Sequence, residues 1–110
     1  MHELAITESL VAAVADNVGS SRVESVTVVV GRLSGVVADS LHFYFDLCAE
    51  GTPLEGAKLE ILDVPAHAQC RSCHAEIELH DMIALCPCGS ADLEILDGQD
   101  LRIKQVEVVG

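Results

Sequence analysis

The chain has no tryptophan, one tyrosine and two phenylalanines in 110 residues, so it offers few rings on which a base could stack. Basic residues are scarce as well: six Lys and Arg stand against eighteen Asp and Glu, for a formal net charge of −12. A negative field of that size repels phosphate backbones and anionic lipid, and it favours cations and basic partners. Neither nucleic acid nor a membrane is therefore expected as a partner, which disfavours a DNA-binding zinc ribbon. Near the N-terminus there is no basic segment leading into a long apolar run, and no stretch approaches the ~20 apolar residues of a membrane span. The expected compartment is the cytoplasm. There, clustered cysteines usually serve metal or redox chemistry instead of disulfides, and the odd count of five agrees. No repeat or low-complexity tract is visible. No Ser/His/Asp or nucleophilic Cys arrangement has a motif context, so catalysis is not expected.

Half of the residues are hydrophobic, mainly Val, Leu, Ile and Ala. At this length they suit one compact unit, or an α/β core with a small metal-stapled insert. Leu4 to Val18 reads as a helix, because Leu4, Val11, Val14 and Val18 form a stripe that Ile6, Leu10 and Ala13 widen. Gly19 is its expected stop. Arg22 to Val30 reads as a strand covered on both faces, with Val26, Val28 and Val30 on one side and Val29 on the other. A connection, Gly31 to Gly35, leads to a second helix over Asp39 to Glu50, where Leu41, Tyr44, Phe45 and Cys48 recur at helical spacing. Lys58 to Val64 alternates as a half-buried strand, and Pro65 closes the first block. Beyond the cysteines lie a short alternating stretch, Ala75 to Leu79, and a hairpin of Leu93–Leu96 with Leu101–Val109 around Asp97-Gly98. The apolar phase of the last strand slips near Gln105, which suggests that it starts on the insert and ends in the first sheet. The expected fold class is α+β: two helices packed on a small, mainly antiparallel sheet, with an inserted zinc-ribbon-like domain.

Four of the five cysteines fall in Cys70-Arg71-Ser72-Cys73 and, twelve residues on, Cys86-Pro87-Cys88-Gly89. Four thiolates at roughly 2.3 Å suit a structural Zn2+, and two short turns can supply them. Iron fits the same donors. A redox Cys-x-x-Cys is the rival, but no helical period follows Cys73, as that chemistry usually requires. The second pair is one residue short. In an extended chain its side chains sit nearly 7 Å apart, whereas sulfurs around zinc need about 3.8 Å, so the backbone must turn at Pro87. Otherwise His74 or His80 replaces one thiolate. The plainer reading of each histidine is a solvated residue beside the metal. Cys48, on an apolar helix stripe, reads as a small buried hydrophobe.

Met1-His2-Glu3 is a second candidate. A bulky penultimate His is expected to leave Met1 in place, so that an α-amine, the backbone nitrogens of residues 2 and 3 and an imidazole share one short stretch. Such donor sets suit Ni(II) or Cu(II) more than zinc. The plain alternative is a frayed, solvated terminus. Glu3 also reads in two ways, as a helper of the metal or as a favourable charge at a helix N-terminus.

Met-His-Glu opening an amphipathic helix, Gly31-Arg32-Leu33-Ser34-Gly35-Val36, Phe45-Asp46-Leu47, Glu50 to Ala57, the two cysteine pairs and the closing Leu101-Arg102-Ile103-Lys104-Gln105-Val106-Glu107-Val108 resemble the HypA/HybF family of hydrogenase nickel incorporation proteins. The resemblance runs in order over nearly the whole chain. It implies a nickel metallochaperone whose nickel-binding α/β domain comprises residues 1–66 plus 104–110 and whose zinc domain comprises residues 67–103. Transient Ni(II) then belongs to His2, with Glu3 and the Met1 amine close by, and structural Zn2+ to Cys70, Cys73, Cys86 and Cys88. It implies delivery to the large subunit of [NiFe]-hydrogenase together with a HypB-type GTPase, and in some members service to urease maturation. Cys86-Pro87-Cys88 departs from the more frequent Cys-Pro-x-Cys. The other reading of the chain is a metal-stapled interaction module without nickel delivery. A long last strand allows either a monomer or a strand-exchanged homodimer.

Overall fold

A computed structural model describes residues 3–80 and 85–109. The element order is α1 (Glu3–Val18), β1 (Val23–Gly31), α2 (Ala38–Ala49), β2 (Lys58–Val64), β3 (Ala66–Cys70), β4 (Glu76–Leu79), β5 (Leu93–Asp97) and β6 (Leu101–Val108). Two three-stranded sheets result, ordered β2-β1-β6 and β4-β3-β5. The α+β class holds, with two helices and small sheets. Neither described helix is long and apolar enough to cross a membrane.

Contacts divide the chain into two compact units, one of residues 1–29, 36–62 and 102–110 and one of residues 30–35 and 63–101. In the first unit α1 packs against α2. Their inward faces bury Thr7, Leu10, Val11 and Val14 from α1 and Leu41, Phe45 and Ala49 from α2. The buried stripe on α1 therefore begins one turn later than the apolar pattern suggests, at Thr7, and Leu4 is exposed. β1 is buried from Val26 to its end, as expected of a central strand covered on both faces.

The second unit has a much thinner core. Ala66, Ala68 and Leu79 are its buried cluster, with Leu33, Ile77, Leu93 and Ile95 packed around them. Strand β3, the centre of this sheet, pairs antiparallel with β4 on one side and β5 on the other. The sequence reading did not assign β3 as a strand. Its inward residues are Ala66, Ala68 and Cys70, and alanine carries little strand preference.

The hairpin expected from Leu93–Leu96 and Leu101–Val109 does not form. The chain bends at Gln99, just past Asp97-Gly98, but β5 stays on β3 while β6 joins β1 in the other sheet. Register on β5 shifts between His67 and Ala68, so the strand bulges just before it leaves. The Asp97 carboxylate closes that bulge by accepting the His67 backbone N–H at 2.8 Å and contacting the His67 imidazole at 2.9 Å. The hydrogen bond that the His67 ring gives to the Asp97 carboxylate raises the His67 pKa above its ordinary value.

Gly98 follows with φ +88°, and a Cβ there would run into the backbone and side chain of Ala66. Its carbonyl accepts the Leu33 N–H at 2.8 Å, and the Asp100 carbonyl accepts the Gly31 N–H at 2.9 Å. Position 98 thus has both a left-handed backbone and no room for a side chain. Gly98→Ala is expected to destabilise the second unit by about 1–3 kcal/mol, seen as a lower denaturant midpoint in urea. An unchanged midpoint would contradict this packing.

Candidate metal centre

The four cysteines are positioned by two turns that flank the second sheet. The first leaves β3 at Cys70, and its His74 N–H closes back onto the Cys70 carbonyl at 2.8 Å. The Cys73 N–H also points at the Cys70 sulfur, 3.4 Å away. His74 takes up φ 65° to let the chain turn into β4. Among the described residues no helix follows Cys73, and the chain turns into β4 instead, unlike the placement typical of a redox pair. The second turn bends at Pro87, where the Gly89 N–H reaches the Cys86 carbonyl at 2.8 Å. Gly89, at φ +94°, does for this turn what His74 does for the other.

That bend resolves the one-residue gap. The Cys70 and Cys88 sulfurs are 3.7 Å apart, those of Cys73 and Cys86 are 3.5 Å apart, and all four lie within 4.8 Å of one another. Tetrahedral sulfurs at about 2.3 Å from zinc would be about 3.8 Å apart, so the donor set fits such an ion. Cys70 and Cys86 are buried and Cys73 and Cys88 exposed. Neither His74 nor His80 belongs to the cluster. The His80 ring instead meets Glu78 at 3.0 Å.

Electrostatics within the cluster are uneven. Hydrogen bonds from the Cys73 and Ser72 backbone hold the Cys70 thiol down at about 6, against its desolvation. Cys86 also receives a backbone hydrogen bond from Cys88 that lowers it, yet desolvation and the neighbouring Cys73, Cys88 and Cys70 sulfurs push it up to about 12. A divalent ion offsets the second kind of cost, because thiolates crowded together share its positive charge and give up their protons on binding.

Of the other expected site residues, Met1 and His2 lie outside the described residues. Glu3 opens α1, and its carbonyl accepts the buried Thr7 hydroxyl at 2.6 Å. Its carboxylate accepts the Val37 backbone N–H at 3.4 Å. Val37 is the N-cap of α2 and makes no side-chain cap bond of its own. A capping box would draw this carboxylate from the third residue of the same helix. Here it comes from a different helix, a role that sequence spacing does not reveal. Cys48 is half-buried in an apolar groove with Leu4, Val11 and Leu47. Desolvation and the nearby Glu8 raise its pKa, which suits a packing residue more than a reactive thiol.

The fold and the cluster together define an α+β protein with a four-thiol centre compatible with a metal such as zinc. A family model described as hydrogenase/urease nickel incorporation, metallochaperone, hypA matches residues 1–108. The chain belongs to this HypA family. It is 44% identical over 108 residues to the hydrogenase maturation factor HypA of Nostoc sp., covering 98% of this chain and 96% of that one. Its similarity to the hydrogenase maturation factor HypA of Geotalea daltonii is 44% over 110 residues, covering 99% and 100%. In fold it is similar to the solution structure of the Ni metallochaperone HypA from Helicobacter pylori, with a TM-score of 0.68 at 23% identity over 99% of this chain and 98% of that one.

The cross-helix cap gives Glu3 a measurable role before any metal is added. Glu3→Ala is expected to remove at most about 1 kcal/mol, roughly a five-fold loss of amide-exchange protection at Val37, while Glu3→Gln keeps an acceptor and most of the protection. Equal loss in the two variants would show that the hydrogen bond is not what matters.

Proposed function

We propose that this chain is a nickel metallochaperone that delivers Ni(II) for maturation of [NiFe]-hydrogenase, with zinc as a permanent structural ion. The observation that carries the reading is the HypA family match, which begins at residue 1 and so includes the Met-His-Glu segment. Nickel is the cargo. The Met1 amine, the His2 imidazole and the backbone nitrogens of residues 2 and 3 are its donors, and Glu3 supports them by anchoring the start of α1. Cys70, Cys73, Cys86 and Cys88 hold zinc. The nickel role belongs to the first unit and the zinc role to the second.

The chemistry of the two donor sets supports this division. A terminal chelate closes by losing protons, so its affinity falls as the pH drops and the ion can be handed on. A cage of four thiolates leaves no open position, as in structural zinc centres. The recipient that fits is the hydrogenase large subunit, served together with a HypB-type GTPase in the cytoplasm, with urease maturation a second destination in some members of the family. No catalytic step is required of the chain.

Nickel titration of the untagged protein by calorimetry tests the cargo site. His2→Ala is expected to weaken Ni(II) binding by at least roughly ten-fold, because a nitrogen ligand is lost. Equal affinity in the variant and the parent would sink the nickel assignment and favour a metal-stapled interaction module. For zinc, Cys88→Ser is expected to cost more than the roughly 10–100-fold in affinity that loss of an outer partner costs. Competition with a chromophoric chelator reads this, and an undiminished affinity would remove Cys88 from the ligand set.

A further inference from the structure

The one-residue gap in Cys86-Pro87-Cys88 leaves the second turn shorter than the first, yet its sulfurs reach those of Cys70 and Cys73. Bonds outside the sulfurs tie the two turns together. The Arg71 backbone N–H reaches the Asp92 carbonyl at 3.0 Å, and the Arg71 guanidinium donates to the Asp92 carboxylate at 2.8 Å. On the same side the Ser72 hydroxyl donates to the Ser90 hydroxyl at 3.0 Å, and that Ser90 oxygen accepts the Asp92 backbone N–H at 3.1 Å. Arg71 and Ser72 are the two residues between the first pair of cysteines, and Ser90 and Asp92 stand two and four residues after Cys88.

An exposed ion pair on its own contributes little, and the side chains of Arg71 and Asp92 are 56% and 61% exposed. This pair is not on its own. It acts with a backbone bond between the same two residues and with a serine bridge one residue away, so three bonds fix the distance and the orientation of one turn against the other, while the Ser90–Asp92 bond stiffens the second turn itself. The geometry points to Arg71, Ser72, Ser90 and Asp92 as a clasp of positioning residues that holds the shortened Cys86-Pro87-Cys88 turn within metal-binding distance of the first turn. The clasp touches no metal. It makes the thiol set ready before the ion arrives and slows the departure of the ion afterwards, and this second effect rests on the reading that the cysteines hold zinc.

The test uses the full chain in two backgrounds, native and with one glycine inserted between Pro87 and Cys88, which restores a two-residue spacing. Arg71→Ala, Ser90→Ala and the double variant are loaded with zinc, and release to a chromophoric chelator is timed. In the native background the double variant is expected to release zinc roughly ten-fold faster than its parent, in line with the effect of outer partners on metal sites. In the inserted background the two rates are expected to converge, because the longer turn closes without help. No acceleration in the native background, or equal acceleration in both, overturns the inference. Amide exchange of the metal-free chain at Arg71 and Gly89 separates the clasp from the zinc reading. If the chain takes up no zinc, the zinc reading fails by itself, and faster exchange in the double variant still supports the clasp while unchanged exchange overturns it.

Discussion

Four thiols brought within bonding distance of one ion are the constraint on which the second unit depends. Among the described residues its buried cluster is two alanines and a leucine, little apolar surface beside what an independent domain ordinarily buries. Hydrophobic burial scales with area, so two methyl side chains contribute little against the entropy of ordering three strands and two turns. The four thiols are placed so that one bound ion would cross-link the turns and supply what the core does not. Ala66 is also required where it stands, because Gly98 lies directly on it and leaves no space for a larger side chain. The weak core and the cysteine centre therefore have one cause: a backbone packed too closely to hold large side chains has to be held by something other than them.

Much of the first unit was legible in the sequence. Helical periodicity in α1 and α2 and the valine run of β1 are strong signals because large side chains bury a whole face. The second unit was legible at its cysteines and much less so in its strands. Ala66, Ala68 and Cys70 do alternate inward, but their apolar bulk is too small to mark a strand. Asp97-Gly98 is a good local turn, and the hairpin inferred from it fails because pairing is decided by tertiary partners: β3 claims β5, and β1 claims β6. β6 does join the first sheet, but as a whole strand, and the units change at its start and not at the phase slip near Gln105. Contacts assign Leu101 to one unit and Arg102 to the other.

At the candidate site the same contrast holds. Spacing alone picks out the four cysteines, and the turn at Pro87 that brings the shortened pair into reach was required by the distance between sulfurs. The partners of those turns were not legible, since Arg71, Ser72, Ser90 and Asp92 look like ordinary surface residues until the chain is folded. Nor was the contact of Glu3 with Val37, which joins residues 34 positions apart.

The two kinds of donor differ in hardness and in how they release an ion. Thiolates suit zinc and let go slowly, while an amine, an imidazole and backbone nitrogens suit nickel and let go on protonation. X-ray absorption of the protein loaded with both metals, recorded at the zinc and nickel edges, puts this division to the most direct test. The account predicts four sulfurs at about 2.3 Å around zinc and a nickel shell of nitrogen and oxygen with no sulfur. Sulfur in the nickel shell, or fewer than four sulfurs around zinc, would contradict it.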